Sequence, residues 1–301
     1  MRKKHRKLKR ESPLCYIVMA ILALVCLLPL LMILSASLTD EVYVQKNGYS
    51  ILPMYPTLDT YIFLVANKGE MLAKAFLTTI SVVILGTLYS VTVTTFFAYA
   101  ISQKKSTFRF ARILSFFAWF TTIFSGGVLP WYIMCTQYYG LKNNLFALFI
   151  PSGINVWNMF ILRGNFREVP EELIESAKLD GASDAKVFVK ISIPLARAGI
   201  VTVALFNVLS FWNDFFLPQW LITDSKYTTV QKMLYSMLSN VATLLNSSSS
   251  TATMALLEHI TLPANTAKMA VTVLAVLPIV ALYPFALKYF VKGINLGGIK
   301  G

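Results

Sequence analysis

The chain has 301 residues, 56% of them hydrophobic and only 14% charged, with a mean hydropathy of +0.63. Soluble domains carry about 25% charged residues, so a water-soluble globule is excluded, and a disordered polar chain is excluded by the same figures. The formal charge of +13 raises nucleic acid as a partner, and the placement of those charges has to decide.

Crossing a hydrocarbon core takes roughly 20 apolar residues of helix. In chain order, six stretches meet or approach that length: residues 14–34, 75–101, 113–136, 145–162, 198–222 and 269–287. Asp214 is the single charge within them. Solid rather than alternating apolar runs predict helices, because a backbone in lipid must bond to itself. The expected fold class is all-α, a polytopic membrane protein with six transmembrane helices. Residues 1–13 form a basic tail, and residues 14–301 form one membrane domain. Ser35-Ala36-Ser37 after the first stretch has the outline of a signal cleavage site. That stretch exceeds the usual apolar length of about 7–15 residues in a signal peptide, so it reads as an uncleaved first helix.

Twenty of the 27 basic residues fall in the amino tail, the second-to-third connection, the fourth-to-fifth connection and the carboxyl end. The positive-inside rule therefore places those segments and both termini in the cytoplasm. Topology accounts for the charge, and no nucleic-acid partner is required. The outer connection, residues 35–74, contains Gly48, Pro53, Pro56 and Gly69 and reads as an ordered excursion. The second outer segment, residues 223–268, repeats Val230, Met233, Leu234, Met237, Leu238 and Val241 at helical spacing, with Thr228 or Thr229 as cap. This amphipathic helix either lies on its neighbours or forms a lip for an extracellular partner. Asn246 to Ser250 reads as a short polar linker.

The cytoplasmic connection, residues 164–197, mixes both charge signs densely. Pro170 suits a first helical position, and Glu171 and Glu172 suit the positive end of a helix dipole. Leu173, Ile174 and Ala177 give that helix an apolar face. Gly181 suits a left-handed terminus, and Ser183 or Asp184 suits the cap of a second short helix. Val187, Phe188 and Ile191 form its apolar face before Pro194 ends it. Two short helices bent about a glycine make a knob suited to docking.

Glu175-Ser176-Ala177, then Gly181, then Ile191-Ser192-Ile193-Pro194 resemble the EAA motif of binding-protein-dependent ABC importer permeases. Ser176 and Ile193 depart from its alanine and leucine. Asp180, Ala182 and Ser183 also match the form of the carbohydrate-uptake branch, to which the second maltose permease subunit belongs. Phe211-Trp212-Asn213-Asp214-Phe215 resembles a W-N-x-F stretch of that branch. Residues 124–130 and Tyr283-Pro284-Phe285 resemble a subgroup linked to complex oligosaccharides in Gram-positive bacteria.

The resemblance implies a type I ABC importer permease fold and makes the knob the coupling helix that fits a groove on an ATPase subunit. Glu175 then pairs with a basic residue there, flanked by Ala177, Asp180, Gly181 and Ala182, with Phe188 as an apolar anchor. It further implies a second homologous permease, two ATPases that bind ATP and Mg, an extracellular sugar-binding protein and an oligosaccharide substrate. This chain itself would hold no cofactor.

In the fifth stretch, Asn207, Ser210 and Asp214 follow at three and four residues, placing amide, hydroxyl and carboxylate on one helical face. Trp212 offers an aromatic plane of the type that stacks on sugars, and Asn213 lies beside it. Asp214 sits roughly 24 Å along the helix from residue 198, in the outer part of the bilayer. These residues line a substrate path, or Asn207 and Asp214 only bond neighbouring helices. Asn155 and Asn158 share that ambiguity, with packing favoured. Gly126, Gly127 and Pro130, with Pro278 and Pro284, are expected at kinks or close contacts.

Cys15, Cys26 and Cys135 lie in apolar runs without metal or redox spacing. No hydrolase, zinc-protease or Walker pattern occurs, so the chain is read as a transporter subunit without catalysis of its own. Two alternatives use the same residues differently. An ion-coupled secondary transporter would make Asp214 the coupling carboxylate, and other ABC permeases of this architecture carry non-sugar solutes.

Overall fold

A computed structural model describes residues 13–104, 108–247 and 264–297. The basic residues of the amino tail up to Arg10, Lys105, residues 248–250 of the polar linker and residues 298–301 lie outside them. Among the described residues all regular structure is helical, apart from an isolated bridge between Thr39 and Pro56. The chain divides into two compact units, Met1–Lys68 with Leu238–Val276, and Gly69–Met237 with Leu277–Gly301.

In the first unit, α1 (Pro13–Ser37) is apolar on every side. Its stretch from Leu14 to Leu34 is largely exposed, as a helix surrounded by lipid should be. A short α2 (Glu41–Asn47) is capped by Asp40, which accepts the Tyr43 amide. The buried Glu41 carboxylate accepts the amides of Asn265 and Thr266 at 3.2 and 2.8 Å, and the Thr266 hydroxyl at 2.7 Å. Those amides open α13 (Ala264–Gly297), so Glu41 supplies acceptors to donors that have no partner within that helix. Thr60 and Thr266 share a buried hydroxyl bond of 2.9 Å.

The outer connection is shorter than the sequence suggests, because α3 runs from Asp59 to Ser102. Gly69 falls inside this helix; a mid-helix glycine costs about 1 kcal/mol, too little to end so long a helix.

The second unit holds two packed clusters. One joins Ala98 and Ile101 of α3 to Ala118 of α4 (Ala111–Ile123), Met159, Leu162 and Phe166 of α6 (Val156–Arg167), and Val203 of α10 (Arg197–Asn213). The other joins Val82, Cys135, Leu148, Phe149, Phe211 and Leu221.

Three of the expected spans are not continuous helices. The chain turns by 116° between α4 and α5 (Val128–Ile133) with its following π-turn (Met134–Tyr138). The pivot is Gly127 at φ +88°, a conformation open to glycine. Residues 145–162 begin as a 3₁₀ turn (Leu145–Leu148) and become α6 only after Asn155. The fifth stretch breaks after Asn213 and resumes as α11 (Phe216–Leu221). Among the described residues, two helices are long and apolar enough to cross a membrane, and up to four spans result if each bent pair counts as one. α12 (Val230–Ser247) carries the amphipathic pattern of the outer segment. Thr229 caps it by accepting the Lys232 amide, and Val230 and Met233 are buried.

Candidate functional site

The knob is built as the residue pattern requires, with two adjustments. Helix α7 (Glu171–Leu179) starts one residue later than expected, and Pro170 is its N-cap at φ −59°. Helix α8 (Asp184–Val187) is capped by Ser183, whose hydroxyl accepts the Lys186 amide. It passes into a π-turn (Phe188–Ser192) and then α9 (Ile193–Leu195), so Pro194 does not end it. The break comes at Ala196, where the chain bends by 75° into α10.

Between α7 and α8 the amide of Gly181 donates to the Lys178 carbonyl at 3.0 Å, and that of Ala182 to Ala177 at 2.9 Å. Gly181 has φ +80°. This pair of bonds satisfies the last carbonyls of α7 and fixes the reversal. Asp180 is the exposed C-cap. Lys178 and Asp184 close the hairpin with an ion pair of 2.8 Å, and Lys104 pairs with Glu171 at the helix start. Both pairs are exposed, and such pairs contribute about 0–1 kcal/mol each.

Within this hairpin Glu175 is exposed, and its carboxylate makes no hydrogen bond among the described residues, with the charge of Lys104 nearby. Phe188 is placed differently from the sequence expectation of a partner-facing anchor. It is 7% exposed and packs on Tyr99, Phe96 and Phe166, with ring centroids 4.5, 5.2 and 6.4 Å away. An aromatic side chain surrounded by its own bundle cannot enter a partner's groove, so it ties the knob to α3 and α6. Of the large apolar side chains in this segment Leu179 is the barest among the described residues, 89% exposed at the end of α7. Sequence reasoning passed over it because it lies outside the Leu173–Ile174–Ala177 stripe. A leucine directly before the terminating Asp-Gly pair was the available signal.

The residues of the fifth stretch separate into two groups. Ser210, Asn213 and Asp214 line a cleft of about 680 Å³ together with Trp131, Phe215 and Phe216. Asp214 stands outside the helix and so off the face expected to hold it with Asn207 and Ser210. Its backbone is extended at ψ 115°, and its carboxylate accepts the amides of Phe216 and Leu217 at 2.8 and 3.2 Å. It therefore caps the start of α11, an assignment for which aspartate is among the preferred residues. Asn213 donates its side-chain amide back to the Leu209 carbonyl.

Asn207 and Trp212 are not on the cleft. Asn207 is 4% exposed and accepts a buried hydrogen bond of 3.1 Å from Asn158 that links α6 to α10, while its own Nδ2 finds no partner among the described residues. Trp212 is 5% exposed, with the Phe76 ring 6.5 Å away. Trp131, which the sequence reading did not single out, is the cleft's tryptophan, tilted against Phe216 at 5.3 Å. Asn155 caps α6 by accepting the Asn158 amide.

Residues 90–296 match the family described as binding-protein-dependent transport system inner membrane component. The chain is 31% identical over 288 residues to the polygalacturonan/rhamnogalacturonan transport system permease protein YtcP of Bacillus subtilis, covering 96% of this chain and 97% of that one. It is 33% identical over 277 residues to the protein LplC of the same organism, covering 92% and 90%. A solved bacterial ABC transporter involved in the import of the acidic polysaccharide alginate contains a chain that superposes with a TM-score of 0.77 at 25% identity, covering 92% of this chain and 95% of that one. These likenesses run along nearly the whole length and agree with a multi-pass protein of the cell membrane. The chain belongs to the binding-protein-dependent transport system inner membrane components, the membrane permeases of ABC importers.

Proposed function

We propose that this permease carries an oligosaccharide across the membrane, powered by two ATPase subunits, one of which grips the hairpin of residues 164–197. The observation that carries the reading is the hairpin itself, a rigid reversal with Glu175 and Leu179 exposed and Phe188 anchored in the bundle. An importer needs a stiff element that transmits closure of its ATPases to its membrane helices. Glu175 pairs with a basic residue of the ATPase, Leu179 supplies the apolar contact, and Ala177, Asp180, Gly181 and Ala182 hold the turn. Phe188 passes the motion to α3 and α6.

The complete assembly in this reading has a second homologous permease, an extracellular sugar-binding protein and six spans in this subunit, with both termini in the cytoplasm. ATP and Mg bind to the ATPases, and this chain holds no nucleotide. Ser210, Asn213 and Asp214 line the substrate path with Trp131 as the stacking ring, while Asn207 and Trp212 shape the helix behind it. The polygalacturonan/rhamnogalacturonan named for one relative and the alginate imported by the transporter of similar structure support a carbohydrate cargo. In proteoliposomes containing the whole complex, Glu175→Ala should retain ATP hydrolysis while losing uptake; wild-type uptake would overturn the coupling assignment.

A further inference from the structure

Where α3 ends, α4 begins and α6 ends, a recess of about 190 Å³ opens, with Lys104, Arg109, Arg112, Arg163 and Arg167 in its wall and no carboxylate among the described residues that line it. Lys104 is committed to Glu171, which lies outside the recess. None of the four arginines forms an ion pair among the described residues. Arg163 instead donates its Nε–H to the Ile101 carbonyl at 3.2 Å and lies 5.7 Å from the Phe160 ring centroid. The Arg109 guanidinium lies 4.9 Å from the Phe110 ring centroid. Burial, and after it the charge of Arg167, hold Arg163 below the ordinary arginine range. Positive charge is thus concentrated in a partly enclosed space whose described lining holds no carboxylate, with Glu171 and Glu175 in the adjoining recess that shares Lys104 and Arg167, and each arginine presents a fork that matches phosphate oxygens.

We propose that this recess binds the phosphate group of an anionic membrane phospholipid. Its size bears on the ligand, since pockets for drug-sized molecules run roughly 300–1,000 Å³; an oligosaccharide does not fit, and a single phosphate does. Its depth bears on the source. Ile101 closes the apolar stretch 75–101, Arg112 immediately precedes 113–136, and Arg163 immediately follows 145–162. Three apolar stretches end at the recess, which places it at headgroup level on the side rich in Lys and Arg, where basic pockets between helices meet anionic lipid. On α4 beside it, Ile113, Phe116 and Phe117 are 62, 62 and 65% exposed, an apolar surface along which acyl chains can run. Free phosphate shares the headgroup chemistry but makes no use of that surface.

The test uses the full-length chain in nanodiscs of mixed phosphatidylglycerol and phosphatidylcholine, with bound lipid counted by native mass spectrometry after extraction. Removing two of the four arginines, as Arg109→Gln with Arg112→Gln, should weaken phosphatidylglycerol retention about 30-fold and leave phosphatidylcholine retention unchanged. Arg167→Gln, on another helix, carries the same comparison with a smaller loss if the double variant does not fold. A parallel arm measures thermal protection of the wild type by inorganic phosphate in phosphatidylcholine discs. Preferential retention of phosphatidylglycerol that both variants lose supports the proposal. Protection by phosphate without such retention assigns the recess to a soluble anion and overturns the lipid, and equal retention in wild type and variants overturns the site. Uptake is not the readout, so the outcome is independent of the coupling reading.

Discussion

The amide of Ala182 donates to the carbonyl of Ala177 across 2.9 Å, spanning a glycine at φ +80°. That bond turns a row of motif residues into a mechanical part, because it fixes the angle at which α8 leaves α7. A Cβ on Gly181 would meet no atom within 4 Å, so the effect of Gly181→Ala is conformational alone. Holding a non-glycine residue left-handed costs about 1–2 kcal/mol. We expect the variant to insert normally and to show reduced uptake per ATP hydrolysed, measured in reconstituted complex.

Glu175 and Leu179 should be separable. Neither is buried within this chain, so Glu175→Ala and Leu179→Ser are expected to leave its thermal stability within about 0.5 kcal/mol of wild type. Loss of a charge-assisted bond should weaken ATPase association by about 1.5–3 kcal/mol in Glu175→Ala. Titration of the purified ATPase against the reconstituted permease measures both; unchanged affinity in Leu179→Ser would remove that residue from the interface.

Phe188→Ala should behave in the opposite way. Removing a ring packed against Tyr99, Phe96 and Phe166 leaves a cavity, and such truncations cost about 3–5 kcal/mol. The expected result is a lower unfolding temperature of the isolated permease, with partial recovery in Phe188→Leu.

Asn158 and Asn207 form a matched pair, so their double-mutant cycle should be strongly non-additive. Asn158→Leu alone strands a buried acceptor and is expected to cost about 1–3 kcal/mol, whereas Asn158→Leu with Asn207→Leu should be closer to neutral. Additive losses would show that the two amides act separately, as they would if Asn207 served the substrate path.

Asp214 separates sugar import from ion coupling. Asparagine caps a helix about as well as aspartate, so Asp214→Asn should preserve α11 and ATP-driven uptake. Asp214→Ala should lose about 0.5–2 kcal/mol of stability through the missing cap. Uptake that follows an imposed proton gradient in wild type and not in Asp214→Asn would contradict the ATP-driven reading.

The all-α class, the first apolar helix, the amphipathic helix after Thr229 and the knob with its glycine reversal were legible in the residues. Each rests on local physics: apolar runs must be helical in lipid, caps need Ser, Thr or Asp, and a left-handed turn needs glycine. The same logic misjudged Gly69, whose modest local penalty is overridden inside the 44-residue α3.

Tertiary structure alone decided which side chains face one another. Periodicity put Asn207, Ser210 and Asp214 on one face because it assumed an unbroken helix. In the structure Asp214 gives its carboxylate to the amides of the next helix, and that exchange breaks the axis. Periodicity could not tell that Phe188 is enclosed by its own bundle while Leu179 is bare, since both lie on short helices with apolar neighbours. It also spread five basic residues over two separate segments, where they served only to mark orientation. Packing three helix ends together gathered them around one recess. Local sequence fixes the conformation of a segment, but burial and charge density depend on what folds back against it.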